Sequence, residues 1–99
     1  LVGSEMCIRD RTNTMVLQQV TPWVEPIIVV CGLEYGLKAI LYHSGESPLS
    51  GHYIAVVRHG ATTEDFWFYD DLKPRRCASE HERTGQAVGY KVYAVMYER

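Results

Sequence analysis

The chain has 99 residues, 46% of them hydrophobic, with seven tyrosines and a formal net charge of -2. This composition excludes a disordered tail and fits one small globular, strand-rich unit or a piece of a larger one. The near-balanced charge gives no electrostatic footprint for nucleic acid or anionic lipid, and no apolar run approaches the ~18 residues of a membrane span.

Residues 1–11 show neither strand alternation nor a helical apolar stripe. They resemble translated sequencing-adapter sequence and are set aside as a non-native or disordered leader, with the chain's own N-terminal portion expected to be missing. Residues 12–34 form a β segment that is hard to place. A short strand is expected from Met15 to Val20, ended by Thr21-Pro22 because proline cannot donate to a ladder. The β-branched run Ile27–Val30 reads as another strand, closed by Cys31-Gly32.

From Tyr35 the pattern sharpens. Leu37, Ala39 and Leu41 alternate with Lys38, Ile40 and Tyr42, which predicts a strand that is apolar on both faces. The stretch 44–51 is dense in turn-forming residues and reads as a loop. Strands over His52–Arg58 and Phe66–Tyr69 follow, joined by a polar hairpin-type connection, and the second runs into Asp70-Asp71. Residues 72–77 allow a further short strand. In residues 78–86, Ser79 and Glu82 have the spacing of a capping box, so a short helix or loop is expected there. The closing strand is expected over 90–97. Strong strands, short links and almost no helix predict a mainly β fold built on an antiparallel sheet.

Two side chains stand out chemically. His52 opens a strand directly after the loop, with Gly51 before it and its ring on the face of Ile54 and Val56. Phe66, Phe68 and Asp70 share one face by the same alternation. In a hairpin, the start of one strand lies beside the end of the next, so Asp70 is expected near His52. There a carboxylate can accept from one imidazole nitrogen and fix the tautomer. His43 reads as a packed, hydrogen-bonded residue, while His59 and His81 read as solvated. The three cysteines, Cys7, Cys31 and Cys77, include no CxxC pair, and with the histidines they suggest no metal site. Free thiols fit a reducing compartment.

The run from Tyr35 through the loop 44–50, the box Gly51-His52-Tyr53, the aromatic strand ending in Asp70-Asp71 and the closing Tyr93–Arg99 resembles, in that order, the closing third of ubiquitin-specific proteases. The resemblance covers residues 35–99. It implies an α+β parent domain with a papain-like arrangement, of which this fragment supplies the C-terminal part of the antiparallel palm sheet. It further implies a thiol-dependent deubiquitinase that hydrolyses the bond between the ubiquitin C-terminal glycine and lysine. His52 matches the catalytic base and Asp70 the residue that orients it. Ser50, Gly51, Tyr53 and, as a second polar group, Asp71 match the rim over which the ubiquitin tail passes. The implied partners are ubiquitin, ubiquitinated proteins and the missing N-terminal thumb of the same domain. No cofactor is implied, and the location is intracellular, cytoplasmic or nuclear. The family's nucleophilic cysteine lies far upstream, and no such box occurs here, so the fragment alone is expected to be inactive. A non-catalytic ubiquitin-binding scaffold is the alternative.

Overall fold

The computed structural model describes residues 7–9, 14–17, 23–47, 49–60, 65–71 and 73–99. Among them the chain forms β1 (Cys7–Arg9), β2 (Thr14–Leu17), β3 (Ile27–Val30), β4 (Leu33–Ser44), β5 (His52–Arg58), β6 (Phe66–Tyr69), β7 (Arg76–Cys77), helix α1 (Glu80–Arg83) and β8 (Lys91–Glu98). The strands all pair antiparallel in one sheet of order β1-β2-β8-β4-β5-β6-β7, with β3 hydrogen-bonded to β4 beside this path. The mainly β, antiparallel architecture expected from the sequence is the one observed.

The twelve-residue β4 organises the sheet, because β3, β5 and β8 all pair with it. The β3–β4 hairpin closes on the pair Val30↔Leu33. Its two turn residues, Cys31 and Gly32, both have positive φ (53° and 78°), the combination a two-residue hairpin needs to match strand twist. The turn lets β4 begin at Leu33, two residues before the pattern becomes legible at Tyr35.

Alternation along β4 changes phase within the strand. Tyr35, Leu37, Ile40 and Tyr42 are all buried, whereas a strict period of two puts Leu37 with Ala39 and Leu41. The β4–β8 register shifts between Leu37 and Ala39, which turns the following side chains over. The buried face is completed by Ile54 and Val56 from β5, Phe66 and Phe68 from β6, and Val95 and Tyr97 from β8. The opposite face carries Ala39, Leu41, Ala55, Ala94 and Met96, which with Val16 line an apolar groove of about 300 Å³.

Two non-strand segments lie over the buried face. Val24 and Ala87 belong to the core, and the Val24 amide donates to the Thr84 carbonyl at 3.0 Å. Ser79 caps α1: its hydroxyl accepts from the Glu82 amide while the Glu82 carboxylate accepts from the Ser79 amide, the capping box expected from the spacing. A four-residue helix does not persist on its own. Here the Arg76 guanidinium donates to both Glu82 carboxylate oxygens, at 2.9 and 2.7 Å, and lies 3.9 Å over the Phe68 ring. Two fully buried tyrosines fasten these segments from below. Tyr42 Oη donates to the Glu82 carbonyl and Tyr97 Oη to the Glu25 carbonyl, each at 2.6 Å.

Some expectations shift at their edges. Residues 7–9, set aside with the leader, pair as β1 with β2 (Ile8↔Val16). Of the strand expected over 15–20, Thr14–Leu17 is observed, and 18–20 lie outside the described residues. Of the segment 72–77, residue 72 lies outside the described residues, and among 73–77 only Arg76 and Cys77 are strand, forming the sheet edge against Trp67 and Phe68. Trp67 and Phe68 are thus flanked on both sides.

Burial raises the pKa of Tyr42 from 10.0 to about 12 and pushes that of Tyr97 up as well. Their protonated forms are therefore favoured in the folded chain. Their contribution to stability is intact below pH 10 and falls as pH rises from 10 through about 12, where the unfolded chain releases these protons first. We expect denaturant midpoints to fall over that interval, with Tyr42→Phe removing part of the pH dependence. At neutral pH, Tyr42→Phe should cost about 1 kcal/mol through loss of the bond to Glu82. A midpoint independent of pH between 10 and 12 would contradict this account.

Candidate functional site

The site is assembled where β5 leaves its ladder with β4 and passes β6. On the β4 side the last pair is Ser44↔His52. Seven residues separate these partners, and the loop between them narrows to a mouth made by two glycines. Gly45 and Gly51 have φ of 125° and 100°, conformations that L side chains rarely adopt. A Cβ at Gly51 would collide with the Ser44 carbonyl oxygen and lie 3.0 Å from His43 Nε2. Position 51 therefore admits only glycine, and this fixes the direction in which the chain enters His52.

On the β6 side, the register Ala55↔Tyr69 places Asp70 opposite Ile54 at the next step. His52 lies two residues along β5 on the same face, a diagonal that a long side chain can bridge. The bridge is made: His52 Nε2 lies 2.5 Å from Asp70 Oδ1. A carboxylate oxygen only accepts, so Nε2 carries the proton of this contact and Nδ1 is the ring nitrogen left outside it. The hydrogen bond from His52 holds the Asp70 carboxyl below the usual carboxylate range, with Lys73 adding to it; Lys73 Nζ lies 3.5 Å from Asp70 Oδ2. The His52 side chain is 40% exposed and that of Asp70 only 14%, so the ring is accessible while the carboxylate is largely covered. Tyr90 stands beside the imidazole, with ring centroids 6.3 Å apart. A cleft of about 450 Å³ adjoins Asp70, floored by Ile54, Phe68 and Ala87 and rimmed by Lys73, Arg76 and Tyr90.

The other residues singled out in the sequence fall into distinct places. Ser50 and Gly51 lie at the loop mouth next to His52, with the Ser50 carbonyl accepting from His43 Nε2 at 2.7 Å. Tyr53 points to the opposite face from His52, as its position in β5 requires. There it packs at a tilt against His43 (4.5 Å) and meets Tyr93 edge-on (5.4 Å). Asp71 occupies the turn after β6 with a left-handed φ of 52°, which aspartate tolerates better than most residues. His59 is exposed, but its Nε2 lies 2.6 Å from Tyr69 Oη, so it is bonded to protein rather than simply solvated. Cys31 and Cys77 are exposed free thiols. Lys73 was legible as a cation three residues beyond Asp70. Tyr90 carried no signal, because only the long connection to β8 brings it to His52.

A model of the ubiquitin carboxyl-terminal hydrolase family matches residues 3–97, nearly the whole chain. The chain belongs to that family. The match agrees with the resemblance to ubiquitin-specific proteases carried by residues 35–99, and it begins within the stretch set aside as a leader. A search of curated proteins found no match. Membership of this hydrolase family assigns a function of the deubiquitinase type in general.

Two expectations concern the geometry itself. Gly51→Ala forces a side chain into the Ser44 carbonyl and a non-glycine residue into positive φ. We expect it to cost more than about 1 kcal/mol and to broaden the His52 ring resonances. A variant with unchanged melting temperature and His52 spectrum would remove the steric account of this position. The His52–Asp70 contact has a depressed carboxyl, so its stabilisation is present above the ordinary aspartate pKa and is lost as pH falls through the folded-state value. Titrating downward below pH 4 while following the His52 Nε2 proton by NMR should show the contact persisting below the ordinary aspartate value of 3.8 before it is lost. Loss already above pH 4.5 would contradict it.

Proposed function

We propose that the chain supplies the histidine and acidic arms of a thiol-dependent deubiquitinase that hydrolyses the bond between the C-terminal glycine of ubiquitin and a lysine amine. The observation that carries this reading is the 2.5 Å contact between His52 Nε2 and Asp70 Oδ1, made by a ring whose side chain stays 40% exposed. In this mechanism a cysteine thiol supplied from upstream of this segment transfers its proton to His52 Nδ1. The thiolate attacks the glycine carbonyl carbon, and the tetrahedral adduct collapses as His52 returns the proton to the leaving lysine nitrogen. Water, deprotonated by the same nitrogen, then hydrolyses the thioester and regenerates the thiol. Asp70 keeps the ring oriented and stabilises the imidazolium formed in each half-reaction; it need not be protonated itself.

Ser50, Gly51, Tyr53 and Asp71 are assigned to the path of the ubiquitin tail. A narrow channel suits a tail ending in two glycines, because residues without side chains let the backbone approach closely. Neither exposed cysteine is assigned as nucleophile. Cys31 lies in the β3–β4 turn and Cys77 on the edge strand β7, and neither belongs to the strand pairs and ring contacts that surround His52.

The reading is tested in two steps. The 99-residue chain alone should give no turnover of a ubiquitin C-terminal amide and no adduct with ubiquitin carrying a C-terminal electrophile. Adduct formation at Cys31 or Cys77 would overturn the assignment of the nucleophile. In a chain extended upstream to include the family's cysteine segment, His52→Ala should lower kcat/KM by about 10²–10⁴. Retained ubiquitin binding without any activity to lose would instead favour a scaffold.

A further inference from the structure

His43 has no part in the proton transfers, yet it is built into the loop that leads to His52. It lies opposite Tyr53 in the β4–β5 ladder, one residue before the last pair. Its ring packs at a tilt against Tyr53, with centroids 4.5 Å apart, and stands 6.3 Å from Tyr93, so the imidazole is held on the outer face of the sheet by two aromatic neighbours. From there Nε2 reaches the Ser50 carbonyl at 2.7 Å, and because that oxygen only accepts, Nε2 donates. The same ring lies against both glycines of the loop mouth: a Cβ at Gly45 would be 3.5 Å from His43 Cε1, and one at Gly51 3.0 Å from His43 Nε2.

We propose that His43 is a positioning residue: by donating to the Ser50 carbonyl it fixes the Ser50-Gly51 rim and the backbone entry to His52. The proposal rests on the reading of this rim as the path of the ubiquitin tail. The physical need for such a device is plain. Glycine at positive φ supplies the required bend but no anchor, and each residue fixed in one backbone conformation costs about 1–2 kcal/mol of entropy. Among the described residues the loop has few bonds of its own. The Ser50 amide donates to the Ser47 carbonyl at 3.1 Å and the Leu49 amide to Ser47 Oγ at 3.2 Å, and both contacts are internal to the loop. They shape it without tying it to the sheet. The bond from His43 makes that tie, and because its ring is already packed between aromatic side chains, little further ordering is required.

The test uses the full chain with two variants. His43→Phe keeps a ring on Tyr53 but removes the donor, and His43→Gln returns a donor near the position of Nε2. Amide hydrogen exchange at Ser50, melting temperature and ubiquitin affinity are read for each. In His43→Phe, exchange at Ser50 is expected to quicken about tenfold and ubiquitin affinity to fall by a similar factor, with melting temperature unchanged. His43→Gln should recover most of both. Unchanged Ser50 exchange in His43→Phe overturns the proposal, as does quickened exchange with unaltered ubiquitin affinity. Failure of a folded His43→Gln to restore exchange also overturns it, since ring stacking alone would then explain the effect. If the unsubstituted chain binds no ubiquitin, the reading of the rim falls, while Ser50 exchange still decides whether His43 holds the loop.

Discussion

The register of β5 between its two neighbours is the constraint on which the site depends. One side of the strand is held by β4 up to the pair Ser44↔His52, and the other by β6 from Ala55↔Tyr69 onward. Side chains in a strand alternate, so a slip of one residue in either ladder would send His52 or Asp70 to the opposite face. The slip is resisted by the core itself. Ile54 and Val56 are buried on the same face as His52, and Phe66 and Phe68 on the same face as Asp70. Apolar burial at about 25 cal/mol per Å² thus sets the register, and the polar contact follows from it. A hydrogen bond contributes about 1 kcal/mol net, too little to impose the alignment by itself.

This division explains why the antiparallel strands and the meeting of His52 with Asp70 were legible in the sequence while the strand order was not. His52 and Asp70 could be paired because everything between them is local: two alternating strands and one hairpin, with turn residues marking their ends. The Ser79–Glu82 capping box was legible for the same reason, since both partners lie within four residues. The insertion of β8 between β2 and β4 had no such signature. It pairs Thr14 with Glu98 and Gly36 with Glu98, contacts between distant segments whose sequences specify strand but not partner. The phase change in β4 escaped for a different reason. A bulge alters which face a residue occupies without altering residue type, so Leu37-Lys38-Ala39 reads as regular alternation until its neighbour is known.

The segment 78–90 illustrates the converse case, in which weak local structure is made firm by tertiary contacts. Nothing in its composition would sustain a helix, yet Glu82 takes part in three separate attachments. Its carboxylate accepts from Arg76 and from the Ser79 amide, and its carbonyl accepts from the buried Tyr42. The hydrogen bond from Arg76 is the main cause that keeps the Glu82 carboxyl below its ordinary range, ahead of the opposing effect of burial. The segment so anchored delivers Ala87 to the core and Tyr90 to the side of His52. The environment of the imidazole is thereby linked to the sheet interior through Tyr42.

The uneven exposure of the two polar groups bears most directly on chemistry. A group that moves a proton must be reachable on one side and held on the other. The proposed role of His52 fits both requirements: Asp70, just after β6, holds the ring and is largely covered, while the His52 side chain is 40% exposed. Had the carboxylate been as exposed as the ring, water would compete for both of its oxygens and weaken its hold on Nε2. Had the ring been buried as deeply as the core side chains, no nucleophile could reach Nδ1. Gly51 separates these outcomes, because any larger residue there would meet the Ser44 carbonyl and displace the chain on which the ring is mounted.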